Sequence, residues 1–155
     1  NLTFSGMHAL DILRLEKKFL HWGHDITSEN NPFESGLSFA VNFEKKQNFI
    51  GRDALEKIKE EPLKNKLELF SLKEKFKPGV PLLLHDEPIF KGDKIVGYTT
   101  SSNFSFYYRK NICLAYIQGE IKDRENLYIE VEGQRYLLHL EKTPLHDPTS
   151  KLMRS

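Results

Sequence analysis

A single cysteine in 155 residues, Cys113, excludes an internal disulfide framework, so the fold must be held by non-covalent contacts. It lies in the apolar run Ile112-Cys113-Leu114-Ala115-Tyr116-Ile117, where a thiol reads as a small buried hydrophobe rather than a nucleophile. An excess of charge of one sign is missing too. With 23 basic and 22 acidic residues the formal net charge is +1, so no large field argues for nucleic acid, a membrane surface or an acidic partner. No long apolar span and no secretory leader are present, and the expectation is a soluble, cytoplasmic protein. The chain opens Asn1-Leu2-Thr3-Phe4 without an initiator Met, which suggests a piece of something longer or a processed product. Walker loop, Rossmann glycine fingerprint, cysteine pairs and His-Glu-x-x-His are all absent, which removes many enzyme classes. His21 and His24 are neighbours, but His8, His85, His139 and His146 give no ligand set at a suitable spacing, so no metal site is expected.

What is there is ordinary globular material, 39% hydrophobic and 29% charged, enough for one domain or two small ones. Ser5-Gly6 can start a helix running to about Phe19 or Leu20, with Gly23 marking its exit. At helical pitch Ala9, Ile12, Leu13, Phe19 and Leu20 share a face, Asp11, Arg14 and Lys18 the opposite one, and Glu16 falls among the apolar residues. Burying an unpaired carboxylate costs several kcal/mol, so Glu16 must either pair inside its own protein or wait for a ligand that brings donors. Further on, Pro32-Phe33-Glu34 suits a short helical turn, residues 37–41 alternate like a strand, and a second helix is expected over about 53–60 with Ala54, Leu55 and Ile58 as its stripe. Pro62 stops it.

From Lys66 the texture changes to short β-like runs at 67–72, 81–84, 95–99, 112–117, 127–131 and 136–140. Pro78-Gly79, Lys91-Gly92-Asp93 and Glu132-Gly133 supply turns between them, and the tail after Pro144 is expected to be irregular and partly mobile. Six short strands without intervening helices suggest a small barrel or sandwich. The fold class is therefore α+β, with an α+β segment over 1–62 and an all-β module over 63–155.

Four motifs stand in order: Leu13-Arg14-Leu15-Glu16, His21-Trp22-Gly23-His24-Asp25-Ile26, Pro32-Phe33-Glu34-Ser35-Gly36-Leu37 and Phe49-Ile50-Gly51-Arg52. Together they resemble the C-terminal half of the glycine cleavage T-protein (aminomethyltransferase) superfamily, which includes the folate-binding tails of sarcosine and dimethylglycine dehydrogenases. Thr100-Ser101-Ser102 and the run from Lys110 to Ile117 are similar to that family's C-terminal barrel. Glu16-Lys17-Lys18-Phe19 with His21-Trp22, and the closing Pro144-Leu145-His146-Asp147-Pro148, are most like the dehydrogenase tails.

The resemblance implies that residues 1–62 are the last part of a folate-binding domain and that 63–155 form a six-stranded antiparallel β-barrel. It implies tetrahydrofolate as cofactor, with Glu16 accepting two parallel donors of the pterin ring, Trp22 packing on the ring system and Lys45 near the glutamate tail. Relatives carry Arg where Lys45 stands, and a lysine lacks that planar fork. The implied chemistry is one-carbon transfer from a small N-methyl amine, or from an aminomethyl group on a lipoyl-bearing partner in the T-protein branch. The family's catalytic aspartate matches no residue here, so no catalytic residue is assigned and the fragment alone should be inactive. FAD would bind in upstream domains of a parent protein. A folate-dependent demethylase, or a regulatory member without turnover, are the alternatives. Residues before about Pro62 should leave apolar surface exposed.

Overall fold

The strand from Lys110 to Gln118 is apolar at nearly every position because both of its faces are buried. The computed structural model describes residues 4–74 and 79–154, so Asn1-Leu2-Thr3 and Pro78 of the Pro78-Gly79 turn lie outside the described residues. Within them are α1 (Met7–Glu16), α2 (Arg52–Glu60), β1 (Asn65–Leu72), β2 (Pro88–Lys91), β3 (Lys94–Ser105), β4 (Lys110–Gln118), β5 (Leu127–Val131) and β6 (Gln134–Glu141). The strands close into a barrel in the order β1-β4-β3-β2-β5-β6, and every neighbouring pair is antiparallel. The fold is α+β, a closed six-stranded barrel carrying two helices.

Side-chain alternation sorts the strands into two cores. Phe70, Ile89, Val96, Cys113, Ile129 and Leu138, one from each strand, meet inside the barrel. The opposite faces of β1 and β4 present Leu67, Leu69, Ile112, Leu114 and Tyr116 outward, and Leu15 of α1 packs on them with no exposed surface. Burying one leucine in this way contributes about 1.5–3 kcal/mol, so Leu15 alone is a substantial anchor for the helix. Gly119 lies beneath the chain before β1. A Cβ there would stand 1.7 Å from the Leu63 carbonyl oxygen, so only glycine permits the Gly119 N–H to reach the Lys64 carbonyl at 2.8 Å.

Four expected elements differ. Helix α1 ends at Glu16, short of Phe19, because Lys18 takes a left-handed conformation, with φ 56°. Residues 37–41 are not a strand: the 3-10 turn Ser38–Ala40 holds its own bonds, Ala40 N to Leu37 O at 3.0 Å and Val41 N to Ser38 O at 3.1 Å. Residues 81–84 are also irregular. There Leu83 plugs the barrel interior while Leu82 and Leu84 stay exposed, which mimics strand alternation without a ladder. The strand in that region is β2, four residues long and headed by Pro88, too short for the pattern to register. The tail carries no α-helix or strand, yet it is docked: Leu145 packs on the outer core and His146 N donates to the Glu16 carbonyl at 2.9 Å.

Apolar side chains before Pro62 are exposed as expected. Met7, Leu10 and Leu13 recur every three residues along α1, Phe4 precedes them outside the helix, and Phe39 and Ile50 stand in solvent. Among the described residues no helix is long and apolar enough to cross a membrane.

Burial pushes the Cys113 thiol up to about 12 from an ordinary 9.0. Unfolding exposes the group, which then loses its proton near 9.0 while the folded thiol keeps it. The contribution to stability is therefore constant below pH 9.0 and falls as pH rises from 9.0 to about 12. Native protein at pH 8 should not react with a thiol-specific disulfide reagent until it unfolds; rapid stoichiometric labelling of folded protein would refute the burial.

Candidate functional site

Helix α1 stops through local backbone bonding. Phe19 N donates to Arg14 O at 2.8 Å and Lys18 N to Leu15 O at 2.9 Å, the two bonds of a Schellman end, here with Lys18 rather than glycine in the left-handed position. Glu16 thus becomes the last helical residue, turned with Leu15 onto the barrel. Its exposure is 5%. Ser105, the last residue of β3, donates its hydroxyl to Glu16 Oε1 at 2.6 Å, and no Lys, Arg or His among the described residues forms an ion pair with the carboxylate. A buried carboxylate with one neutral donor has acceptor capacity left over.

An aromatic group surrounds it. Tyr108 N donates to Ser105 Oγ at 3.0 Å, Tyr108 Oη lies 3.3 Å from His146 Nδ1, and the Tyr107 ring meets the Tyr108 ring edge-on at 4.9 Å. Loss of hydration raises the Tyr108 phenol above its ordinary value, reinforced by Tyr107 and by Glu16, so it stays a neutral donor at physiological pH. On the far side Lys17 Nζ bonds the Asp147 carbonyl at 2.7 Å and its carboxylate at 3.1 Å. The tail is thereby held over the end of α1.

Arg14 corrects the expected helix faces. Expected opposite the apolar face with Asp11 and Lys18, it turns inward, donating to Asp25 Oδ2 at 2.7 Å, Ser101 Oγ at 2.8 Å and Asp11 Oδ1 at 3.1 Å. Leu13 and Phe19, expected on the apolar face, are exposed instead. The Asp25 side chain has no exposed surface and also accepts from Thr100 Oγ1 at 2.6 Å and His21 N at 2.8 Å. Asp11, Arg14, Thr100 and Ser101 of this network line a cavity of about 390 Å³ together with His8, His21, His24 and His85. Among the described residues no three His, Cys, Asp or Glu side chains converge as a metal site.

The structure does not bring the three sequence-selected residues together. Trp22 is 68% exposed beside a backbone bridge to Ile26, and Lys45 is a solvent-facing lysine whose carbonyl accepts from Arg52 Nη1 at 3.4 Å. No hydrogen bond, ion pair or ring contact links either of them to Glu16. Arg52 also holds the Phe43 carbonyl at 2.7 Å, so the Phe49-Ile50-Gly51-Arg52 motif fixes the Lys45 loop. Glu34 is structural: its carboxylate accepts from Asn65 N at 3.1 Å and its carbonyl from Leu67 N at 2.8 Å, seating β1. Ser105 and Tyr108 were not legible as site residues. The only signal was the aromatic triplet Phe106-Tyr107-Tyr108 at a strand turn.

Comparison with known proteins places these residues in context. Residues 68–147 match the family described as glycine cleavage T-protein C-terminal barrel domain, and residues 1–45 match the GCVT N-terminal domain. The chain is 33% identical over 142 residues to the mitochondrial dimethylglycine dehydrogenase of Mus musculus, covering 90% of this chain and 16% of that protein. It is 42% identical over 112 residues to the aminomethyltransferase of Symbiobacterium thermophilum, covering 72% of this chain and 28% of that one. The chain therefore spans well under half the length of either relative. The glycine cleavage system aminomethyltransferase T from Bartonella henselae shares the fold, with a TM-score of 0.77 at 22% identity over 90% of this chain and 38% of that chain.

Removing Asp25 should test how α1 is fixed. Asp25→Ala strands Arg14 and the His21 N–H, and is expected to cost about 3 kcal/mol in denaturant unfolding, the range for breaking a buried pair. Glu120→Ala, which removes only the exposed pair with Lys94, should leave the midpoint nearly unchanged. Equal small effects would mean that Arg14 is not the clamp.

Proposed function

The chain belongs to the glycine cleavage T-protein family, and on that premise we propose that it is the tetrahydrofolate-binding, C-terminal part of an aminomethyltransferase-type enzyme. Residues 1–62 supply the last portion of the folate domain and 63–155 the barrel that braces it. The one-carbon unit comes from a small N-methyl amine oxidised in an FAD-bearing upstream domain, as in a sarcosine or dimethylglycine dehydrogenase-like protein. The second reading, an aminomethyltransferase without a flavin domain, is favoured by the 42% identity to the bacterial enzyme of that name.

The observation that carries the proposal is Glu16, a carboxylate only 5% exposed whose side chain accepts one bond, from a neutral hydroxyl. Leaving such a group with unused acceptor capacity is costly unless a ligand completes it, and the residues present fit the pterin. The ring amino group and adjacent ring N–H are parallel donors that match a carboxylate's two oxygens. When bound, tetrahydrofolate would supply the nitrogens that accept the one-carbon unit. This chain's own residues bind and orient. Ser105 and the Glu16 backbone contact to His146 hold the carboxylate in place, Tyr108 stays protonated as a donor, and Trp22 offers an exposed aromatic face for packing. Lys45 offers positive charge to an anionic tail without the bidentate geometry of arginine. The exposed stripe Phe4, Met7, Leu10 and Leu13 is the surface on which the rest of the folate domain packs in this reading.

Calorimetric titration of tetrahydrofolate into the full-length protein under reducing conditions tests the proposal. Binding should weaken at least tenfold in Glu16→Gln, roughly the 1.4 kcal/mol or more that one charge-assisted bond contributes. Trp22→Ala should cost less. Absence of binding to the wild type, or an unaffected Glu16→Gln, would sink it.

A further inference from the structure

Next to β1 in the barrel, β6 changes partners. Residues Gln134 to Leu137 pair with β5, whereas Leu138 to Glu141 pair with β1, and the β5 ladder ends at Tyr128 opposite Leu137. The loop 119–126 fills that side of β6, leaving a slot of about 410 Å³. Its volume is within the range of small-molecule sites. Leu137 and Leu140 supply apolar wall, and Lys73, His139 and Lys142 stand around it.

Arg124 is the decisive residue. Its side chain is only 11% exposed, and its Nε donates to Glu68 Oε2, while Glu68 Oε1 also accepts from Lys66 at 3.0 Å. Glu68 is on the same face of β1 as Phe70 and Leu72, so the pair sits at the barrel interior rather than in solvent. Arg124 Nη1, in contrast, is buried without any hydrogen-bond partner. An unmet guanidinium donor in a dry site costs on the order of a hydrogen bond to a charged group, and natural structures resolve that cost with a partner. The charges about the slot point to its sign. Among the described residues Lys73, Arg124 and Lys142 are opposed there only by exposed Glu125, while Glu68 is already shared with Lys66 and Glu141 accepts from Ser71 and Lys110.

We infer that the slot between β6 and the 119–126 loop binds a small organic oxyanion, a carboxylate or a phosphate, whose entry brings the buried, unmet Nη1 donor of Arg124 to the slot surface. The planar guanidinium, fixed at one edge by Glu68, offers its remaining donors in the geometry that oxyanions accept. Lys73 and Lys142 neutralise the rest of the charge, and Leu137 and Leu140 contact the carbon body. This site uses none of the Glu16 residues and stands whether or not folate binds there.

The test is titration of the whole chain with inorganic phosphate and, separately, with glutarate, followed by NMR of arginine side-chain and backbone nitrogens. A saturable shift of the Arg124 Nη signals, with Asn126 and His139 amides following, is the expected result, and the stronger of the two probes identifies the class of anion. Affinity should fall about tenfold in the Lys73→Ala/Lys142→Ala variant, whose side chains are exposed and whose loss leaves the fold intact. Arg124→Lys keeps a cation for Glu68 yet should abolish the saturable shift at His139. Binding equally strong in both variants, or no saturable shift at Arg124 with either probe, overturns the inference.

Discussion

The contact between the last turn of α1 and the outer face of β1 and β4 governs the rest of the molecule. Leu15 enters the apolar patch of Leu67, Leu69, Ile112, Leu114 and Tyr116, and Arg14 is locked beside it on Asp25 and Ser101. On the other flank Lys17 holds Asp147 and the Glu16 carbonyl takes His146 N. Arg14, Leu15 and Lys17 are thus held in three directions, and Glu16, which lies between them, is fixed in its buried position. A surface ion pair would be too weak to impose this. Here Asp25 is wholly buried and accepts from Arg14, Thr100 and His21, so the pair is satisfied on all sides.

Much of the barrel was legible in the sequence because alternation and turn residues report local backbone directly. Five of the six expected strands coincide with observed ones, and the β5 bounds agree to the residue. The misses have separate causes. At 81–84 apolar residues alternate because Leu83 inserts inward and its neighbours do not, and no strand partner is implied by that pattern. At 37–41 the alternation does not follow burial at all, since Phe39 stands in solvent on a 3-10 turn.

The candidate site was half legible. Glu16 stood out as an acid among apolar residues, and it is buried. Which side of α1 faces the barrel was not readable, since Arg14 turns inward only because Asp25 lies eleven residues further on in a loop, a long-range pairing invisible to a helical projection. The end of α1 was misread for a similar reason: a left-handed lysine leaves no glycine in the sequence to announce it. Ser105 and Tyr108 reach Glu16 across 89 positions and through the tail, so their role emerges only once the barrel has closed.

The central claim is that Glu16 waits for two parallel donors from a pterin, and a cycle between protein and ligand isolates that contact. Affinities of wild type and Glu16→Gln for tetrahydrofolate and for an analogue lacking the ring amino group give the coupling between the two partners. The account predicts a coupling of about 1.5–3 kcal/mol, with the amino group mattering to the wild type and scarcely to the variant. A coupling indistinguishable from zero would contradict it, and Glu16 would then be a buried acid bonded to Ser105 and nothing more.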